Sequence, residues 1–360
     1  MKIDFANLQK QYQLYKNEID SNIQKVLDNS NYIMGQEIRE LEEKLQQFTN
    51  TKHCISCSNG TDALILAMMA LGIEEGDEII TTPFTFIATA ETVAFLKATP
   101  VFVDIDETTY NIDPKKIEKK ITKKTKAIMP VSLYGQPSDI DEIQEIANKY
   151  NLKVIIDGAQ SFGSTYKGKF DSSLGDIATT SFFPAKPLGC YGDGGALFTN
   201  FDNLATKIKQ LRVHGQDKRY HHKYIGIGGR LDTIQAAILL AKLPYYQNEI
   251  KLRQEVAKKY DERLKHIKIP TIKDDRTSVY AQYSIRVKNR DEVQAKLKEA
   301  NIPTAIHYPM PLHLQECFKY LGYKNGDFPI SEEISNEILS LPMNPFLTDE
   351  EIDYIVEHLR

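Results

Sequence analysis

Lys186 stands between an apolar run, Ile177 to Phe183, and Gly189-Cys190-Tyr191-Gly192-Asp193-Gly194-Gly195, which holds four glycines in seven residues. Lysine is rarely buried without a reason. Backbone this permissive can close around a ligand, and an amine desolvated there loses its proton more readily and can attack a carbonyl. Upstream, Lys153-Val154-Ile155-Ile156 reads as a strand that runs into Asp157. A lysine after one strand and an acid at the end of another meet what pyridoxal phosphate chemistry requires. The lysine holds the aldehyde as a Schiff base, and the carboxylate keeps the pyridine nitrogen protonated so that the ring can act as an electron sink. Lys186 and Asp157 are the expected catalytic pair of a pyridoxal phosphate enzyme.

Other residues fit parts of the same ligand. Ser58-Asn59-Gly60-Thr61-Asp62-Ala63-Leu64 puts a small-residue turn at a helix start, where free N–H groups and the helix dipole attract a phosphate. Taken alone it is a plain N-cap by Asn59 or Thr61; beside a Schiff-base lysine, Gly60 and Thr61 become phosphate ligands. Phe86 leaves a strand end and can stack on a pyridine ring, or else belong to the core. Gln160, one turn past Asp157, can meet the ring hydroxyl or simply face solvent. Ser181 can donate to the phosphate or be satisfied by backbone. The glycine run precedes a strand and not a helix, which is the wrong context for a dinucleotide loop.

Alternating elements position these groups. Strands are expected at Glu78–Thr81, Pro100–Asp104, Ala127–Val131, Lys153–Asp157, Ile177–Phe183 and Gly195–Thr199. Helical periodicity runs over Asp62–Leu71, Ile87–Lys97, Ile140–Tyr150 and Leu204–Val213. The pattern predicts an α/β fold with a mostly parallel central sheet, whose ligands collect at the carboxyl ends of the strands. A long helix, roughly Thr233 to Lys265, suits a bridge. Beyond it come a strand, Val279–Val287, and helices near Asp291–Ala300, Ile330–Leu339 and Asp349–His358. The expected division is a large cofactor-binding domain over 1–250 and a smaller α+β domain over 251–360.

Composition narrows the class. The 360 residues carry 45 Lys and Arg against 49 Asp and Glu, a net charge of −4 with no long basic run. Neither nucleic acid nor a membrane surface is an expected partner, no apolar run nears a membrane span, and the cytoplasm is the expected location. Cys54 and Cys57 form a C-x-x-C, but no second ligand pair at matching spacing accompanies it. Buried thiols are expected there, and no metal.

Together these residues resemble the sugar-nucleotide aminotransferases typified by DegT and StrS, within the aspartate aminotransferase fold type I of pyridoxal phosphate-dependent transferases. The resemblance covers nearly the whole chain. It runs from Asn31-Tyr32-Ile33-Met34-Gly35 through Asn59–Leu64, Val131–Gln136, Asp157-Gly158-Ala159-Gln160 and the Lys186 segment. Arg230–Ala237, His307-Tyr308-Pro309 and Pro311-Leu312-His313 complete it. The wording around Lys186, with His214-Gly215-Gln216-Asp217 and Arg219-Tyr220-His221-His222, is similar to one branch. That branch aminates carbon 3 of UDP-2-acetamido-2-deoxy-3-oxo-glucuronate with L-glutamate as donor, in the synthesis of diamino sugars of surface polysaccharides such as the O-antigen of lipopolysaccharide.

The resemblance implies that Lys186 forms the Schiff base and shuttles protons, Asp157 pairs with the pyridine nitrogen, Gln160 meets the ring oxygen and Phe86 stacks. Gly60, Thr61 and Ser181 would hold the phosphate, and Tyr32, Arg230, His307 and Tyr308 the sugar nucleotide, Arg230 through its fixed fork of donors. A homodimer with shared active sites is implied. Relatives carry an asparagine where this chain has Gly228, reaching the phosphate from the second subunit, and many carry histidine where it has Ser132. Related branches use other 3-keto or 4-keto-6-deoxy sugars on dTDP or UDP. Dehydratases of the same fold replace the lysine with histidine, which Lys186 argues against; a regulator that binds cofactor without turnover is the alternative of another class.

Overall fold

The computed structural model describes residues 1–359. Two helices open the chain, α1 (Leu8–Asn29) and α2 (Gln36–Thr49), where one N-terminal helix of the large domain is expected. There follow β1 (His53–Cys57), α3 (Gly60–Leu71), β2 (Glu78–Thr81), α4 (Ala88–Phe95), β3 (Thr99–Phe102), β4 (Thr125–Ile128), α5 (Ile140–Tyr150) and β5 (Lys153–Asp157). A small hairpin, β6 (Thr165–Tyr166) and β7 (Lys169–Phe170), precedes β8 (Ile177–Ser181), β9 (Gly195–Thr199) and α6 (Asp202–Leu211). A second hairpin, β10 (Gln216–Lys218) and β11 (His221–His222), leads to α7 (Thr233–Arg263). The chain ends with β12 (Tyr283–Arg286), α8 (Arg290–Glu299), α9 (Pro329–Glu337), β13 (Ile338–Leu341) and α10 (Asp349–Leu359).

The seven-stranded sheet has the order β1-β9-β8-β5-β4-β2-β3. From β8 to β3 every pairing is parallel, while β9 runs against both of its neighbours. Its strands read as continuous apolar runs because both faces are covered. Successive side chains go to opposite sides. Val154 and Ile156 join one core with α2, α5 and the first half of α7, while Ile155 joins the other with α3, α4 and α6. Ile79 and Ile80, Ala127 and Ile128, and Ile177 and Ala178 divide in the same way.

Helix α7 is 31 residues long and changes company along its length. Leu239, Leu243, Tyr246 and Ile250 pack under the sheet; Val256, Ala257 and Tyr260 pack instead on β12, β13, α8 and α10. Two expectations need correction here. The strand expected over Val279–Val287 is confined to Tyr283–Arg286, and the helix expected over Ile330–Leu339 stops at Glu337. Ile338–Leu341 is a strand, paired antiparallel with β12 from Ile338↔Arg286 to Leu341↔Tyr283. Ile330, Ile334 and Ile338 keep a helical spacing, but pairing with β12 buries Ile338, Leu339 and Leu341 completely.

Candidate active site

β5 ends in Asp157 beside Thr179 of β8, so the last residues of both strands reach one edge of the sheet. The Asp157 N–H donates to the Pro130 carbonyl at 2.9 Å, and the Asp157 carbonyl accepts from the Ser132 N–H at 3.0 Å. Backbone pinned on both sides fixes the direction of the side chain, whose residue is only 4% exposed. Oδ2 accepts from the Thr89 hydroxyl at 2.7 Å and Oδ1 from the Ala159 N–H at 3.3 Å. Burial pushes the carboxyl pKa up, opposed by these donors and by the Lys186 ammonium.

Lys186 sits in a turn closed by its own N–H on the Phe183 carbonyl at 2.8 Å. The loop neck is stitched by the Phe182 N–H on the Gly194 carbonyl at 2.7 Å and the Cys190 N–H on the Phe182 carbonyl at 2.8 Å. Desolvation lowers the Lys186 pKa below its ordinary value, and the Asp157 carboxylate partly restores it. Both residues line one cavity of about 490 Å³.

The N-terminus of α3 forms another wall. Asn59 caps it, its Oδ1 accepting the Asp62 N–H at 2.7 Å. The Gly60 and Thr61 N–H groups, next to this cap, have no acceptor among the described residues. Ser181 is pressed against them: a Cβ built on Gly60 would lie 2.8 Å from the Ser181 Cβ. The Ser181 Oγ accepts the Phe183 N–H at 3.3 Å, which leaves its own hydrogen free to donate. Unpaired amides at a helix start and a hydroxyl beside them form an anion site.

Gln160 and Tyr308 meet across the cavity. The Gln160 Oε1 accepts the Tyr134 N–H at 2.7 Å, and its Nε2 donates to the Tyr308 hydroxyl at 3.1 Å. Burial raises the Tyr308 pKa, so the phenol keeps its proton. Phe86 leans over Tyr308 with ring centroids 6.1 Å apart. His307 hydrogen-bonds through Nδ1 to the Ser340 hydroxyl at 2.9 Å. Burial, then the nearby Lys186 charge, lowers its pKa to about 4.

Of the candidates read from the sequence, Gly60, Thr61, Phe86, Asp157, Gln160, Ser181, Lys186, His307 and Tyr308 line this cavity. Tyr32 and Arg230 do not. They lie on segments that pair with each other: Ile33 bridges Asp232, and the Thr233 N–H donates to the Tyr32 carbonyl at 2.9 Å. Tyr32 is 45% exposed, and the buried Arg230 Nε has no acceptor among the described residues. The cavity also contains residues not singled out from the sequence: Thr85, Thr89, Asp193 and Gln282. Thr89 follows Thr85 by one helical turn, a hydroxyl repeat that offered a signal. Gln282 offered none.

Cys54 and Cys57 are free thiols buried in β1, with pKa values raised by burial, that of Cys57 to about 12. Among the described residues no group of three His, Cys, Asp or Glu could hold a metal ion. No helix is long and apolar enough to cross a membrane.

Comparison with known proteins agrees with this architecture. The chain is 54% identical to the UDP-2-acetamido-2-deoxy-3-oxo-D-glucuronate aminotransferase of Pseudomonas aeruginosa, over 98% of each chain. The crystal structure of a DegT DnrJ EryC1 StrS aminotransferase from Brucella abortus superposes with a TM-score of 0.96 at 41% identity, over 99% of this chain and 98% of that one. NtdA from Bacillus subtilis, solved with bound cofactor PMP, gives a TM-score of 0.92 at 32% identity, over 99% of this chain and 84% of that one. The profile of one family matches residues 13–360, and the chain belongs to it: the DegT/DnrJ/EryC1/StrS aminotransferase family.

Proposed function

We propose that this chain is a pyridoxal phosphate-dependent aminotransferase that moves the amino group of L-glutamate to carbon 3 of UDP-2-acetamido-2-deoxy-3-oxo-glucuronate. The observation that carries the reading is one cavity holding a buried carboxylate, an amine of lowered pKa and a helix N-terminus with unpaired amides. The residues fit the cofactor at both ends. Asp157 is a buried acid held by one hydroxyl and one amide, which leaves it able to pair with a protonated ring nitrogen. The Gly60 and Thr61 amides with the Ser181 hydroxyl fit a phosphate. When bound, the cofactor supplies an aldehyde for the amine and an electron sink for the substrate carbon.

The remaining chemistry belongs to the side chains. The lowered pKa of Lys186 raises the share of neutral amine at neutral pH, so Nζ can act as nucleophile and then carry a proton from the donor carbon. Asp157, already desolvated and hydrogen-bonded, needs no reorganisation to hold positive charge at the ring. Gln160 keeps one Nε2 hydrogen beyond the bond to Tyr308, enough for a ring oxygen. His307 stays neutral above about pH 4 and so acts as a hydrogen-bonding group and not as a cation.

Charge complementarity for the uronate and diphosphate falls to Arg230, whose Nε lacks an acceptor among the described residues. Its place outside the cavity, with Tyr32, supports a homodimer in which these residues complete the partner's site. A division near residue 250, into a large unit over 1–250 and a small one over 251–360, is supported by the change of apolar cluster along α7, with Ile3 packing in the smaller cluster and Val279 in the larger. Surface polysaccharide synthesis in the cytoplasm, lipopolysaccharide included, is the setting this substrate implies.

The test is an assay of the purified protein with L-glutamate and a panel of keto-sugar nucleotides. Amination of the 3-oxo-glucuronate far faster than of neutral 3-keto or 4-keto-6-deoxy sugars is expected. Equal or faster turnover of a neutral sugar on dTDP would move the assignment to a related branch. Cofactor binding with no turnover of any member would leave the regulator reading.

A further inference from the structure

We propose that Lys242 is a positioning residue for the Lys186 amine, an inference that rests on reading Lys186 as the catalytic lysine. Lys242 lies in α7 among Leu239, Leu240, Ala241 and Leu243 and is only 2% exposed. A lysine so enclosed needs a partner. Its Nζ donates to the Gly189 carbonyl and sits 5.3 Å from the centre of the Tyr191 ring. Glu249, two turns further along α7, gives its carboxylate to the Gln11 Nε2 at 2.8 and 3.0 Å and acts on Lys242 from a distance. The ammonium is therefore spent on one backbone carbonyl of the loop that carries Lys186.

Gly189 passes that hold on to Lys186. A Cβ built there would lie 2.5 Å from the Pro184 carbonyl oxygen and 2.6 Å from that of Phe183. The Gly189 backbone thus lies directly against the turn in which the Phe183 carbonyl accepts the Lys186 N–H at 2.8 Å. The same helix grips the loop further on, where the Gln235 Oε1 accepts the Tyr191 N–H at 2.9 Å and its Nε2 fills the space beside Gly192. Gln235 anchors the far side of the loop, and Lys242 fixes the side beneath the lysine turn. A leucine or methionine would fill the same volume without seating that carbonyl.

The electrostatics agree with a working contact. Burial lowers the Lys242 pKa to about 8, with Glu249 and Cys190 pulling it up and Arg253 pushing it down. Tyr191 is the other titratable group at hand, its pKa raised to about 12 by burial. The charge on Lys242 is therefore lost in mildly alkaline solution, while Cys190 and Tyr191, raised to about 11 and about 12, stay uncharged.

Lys242→Met and Lys242→Gln in the holoenzyme test this. The readouts are melting temperature, kcat and KM for both substrates, and the pH at which the visible absorbance of the lysine–pyridoxal phosphate adduct titrates. Lys242→Met is expected to shift that titration by about one pH unit. It should also lower kcat by about 10- to 100-fold, as for a displaced reacting group, with KM moved less than about threefold. Lys242→Gln, which keeps an N–H donor, should recover part of both. A folded Met variant with wild-type titration and kcat overturns the inference. Should Lys242→Met fail to fold, Lys242→Leu, which also lacks a donor, takes its place, and a normal titration and kcat there overturn the inference equally. Lys186→Ala separates the underlying reading, because an unchanged adduct in that protein would refute Lys186 itself.

Discussion

The Thr89 hydroxyl donates a 2.7 Å hydrogen bond to Oδ2 of Asp157, reaching the end of β5 from the first turns of α4. Thr85, one turn earlier, pairs with the Thr89 hydroxyl at 3.0 Å. Among the described residues the only other donor on the carboxylate is the Ala159 amide at 3.3 Å. A buried acid with so few donors depends heavily on each one, and burial already raises its pKa. The two threonines orient Asp157 as well as favour its charged form.

Thr89→Val keeps the shape and removes the hydroxyl. Losing a hydrogen bond to a charged group costs about 1.5–3 kcal/mol, which corresponds to about 10- to 100-fold in rate. Transamination should fall by that factor, with weaker pyridoxal phosphate binding in a titration of the cofactor-free protein. A variant within twofold of wild type in both measurements would show that Asp157 needs no help from α4.

His307 predicts an acid limb in stability. Its pKa is lowered from 6.5 to about 4, so the folded protein binds fewer protons than the unfolded chain between those values. Stability from this residue therefore falls as pH drops through that window, by about 3 kcal/mol in all, and changes no further below pH 4. Asp171, raised by burial to about 6, works in the opposite direction over an overlapping range. The difference between wild type and His307→Gln in urea unfolding at pH 7 and pH 4.5 isolates the histidine. Equal losses in both proteins would mean that His307 is not held neutral.

Legibility in the sequence followed the range of the signal. Asp157, Ser181 and Lys186 could be placed because each stands at the end of an apolar run long enough to declare a buried strand. Gly60 and Thr61 were marked by the turn that opens α3. Thr89 was not, since a hydroxyl inside an alanine-rich helix looks like core until the partner strand is known. The reversed direction of β9 depends on how the loop after Lys186 folds back, which no local pattern encodes. Ile338 and Leu339 were misplaced for a related reason: their spacing continues α9, but pairing with β12 buries them in a strand. Arg230 and Tyr32 show a different limit: their sequence context marked them, but the fold places both outside the cavity.

Gly189→Ala tests how tightly the lysine turn is packed. Its new methyl would meet two backbone carbonyl oxygens at 2.5 and 2.6 Å, and neither can rotate away. Forcing atoms into packed space costs about 1–3 kcal/mol, and here the strain falls on the turn that carries Lys186. Adduct formation and turnover should suffer more than melting temperature. Gly192→Ala is the control, since its methyl meets the flexible end of Gln235 at 2.8 Å. Equal effects from the two substitutions would mean that the clash at Gly189 is relieved without moving the lysine.

Gly228 stands where the family resemblance implies an asparagine, and its backbone does not forbid one. Its φ lies outside the left-handed region, unlike that of Gly215 at +70°, so no strain attaches to a side chain there. The obstacle is His214, whose Cε1 and Nε2 would lie 3.0 and 3.1 Å from the new Cβ. Gly228→Asn alone must displace that imidazole before its amide can reach anything. We expect little gain in pyridoxal phosphate affinity from the single substitution. In a His214→Ala background the added donor should tighten binding by about 1.5–3 kcal/mol, or roughly 10- to 100-fold in Kd. Titration of the cofactor into the four cofactor-free proteins of this cycle gives the coupling directly. Full tightening by Gly228→Asn alone would show that His214 yields freely. No tightening in either background, with both proteins folded, would mean that backbone or water already serves the phosphate at this point.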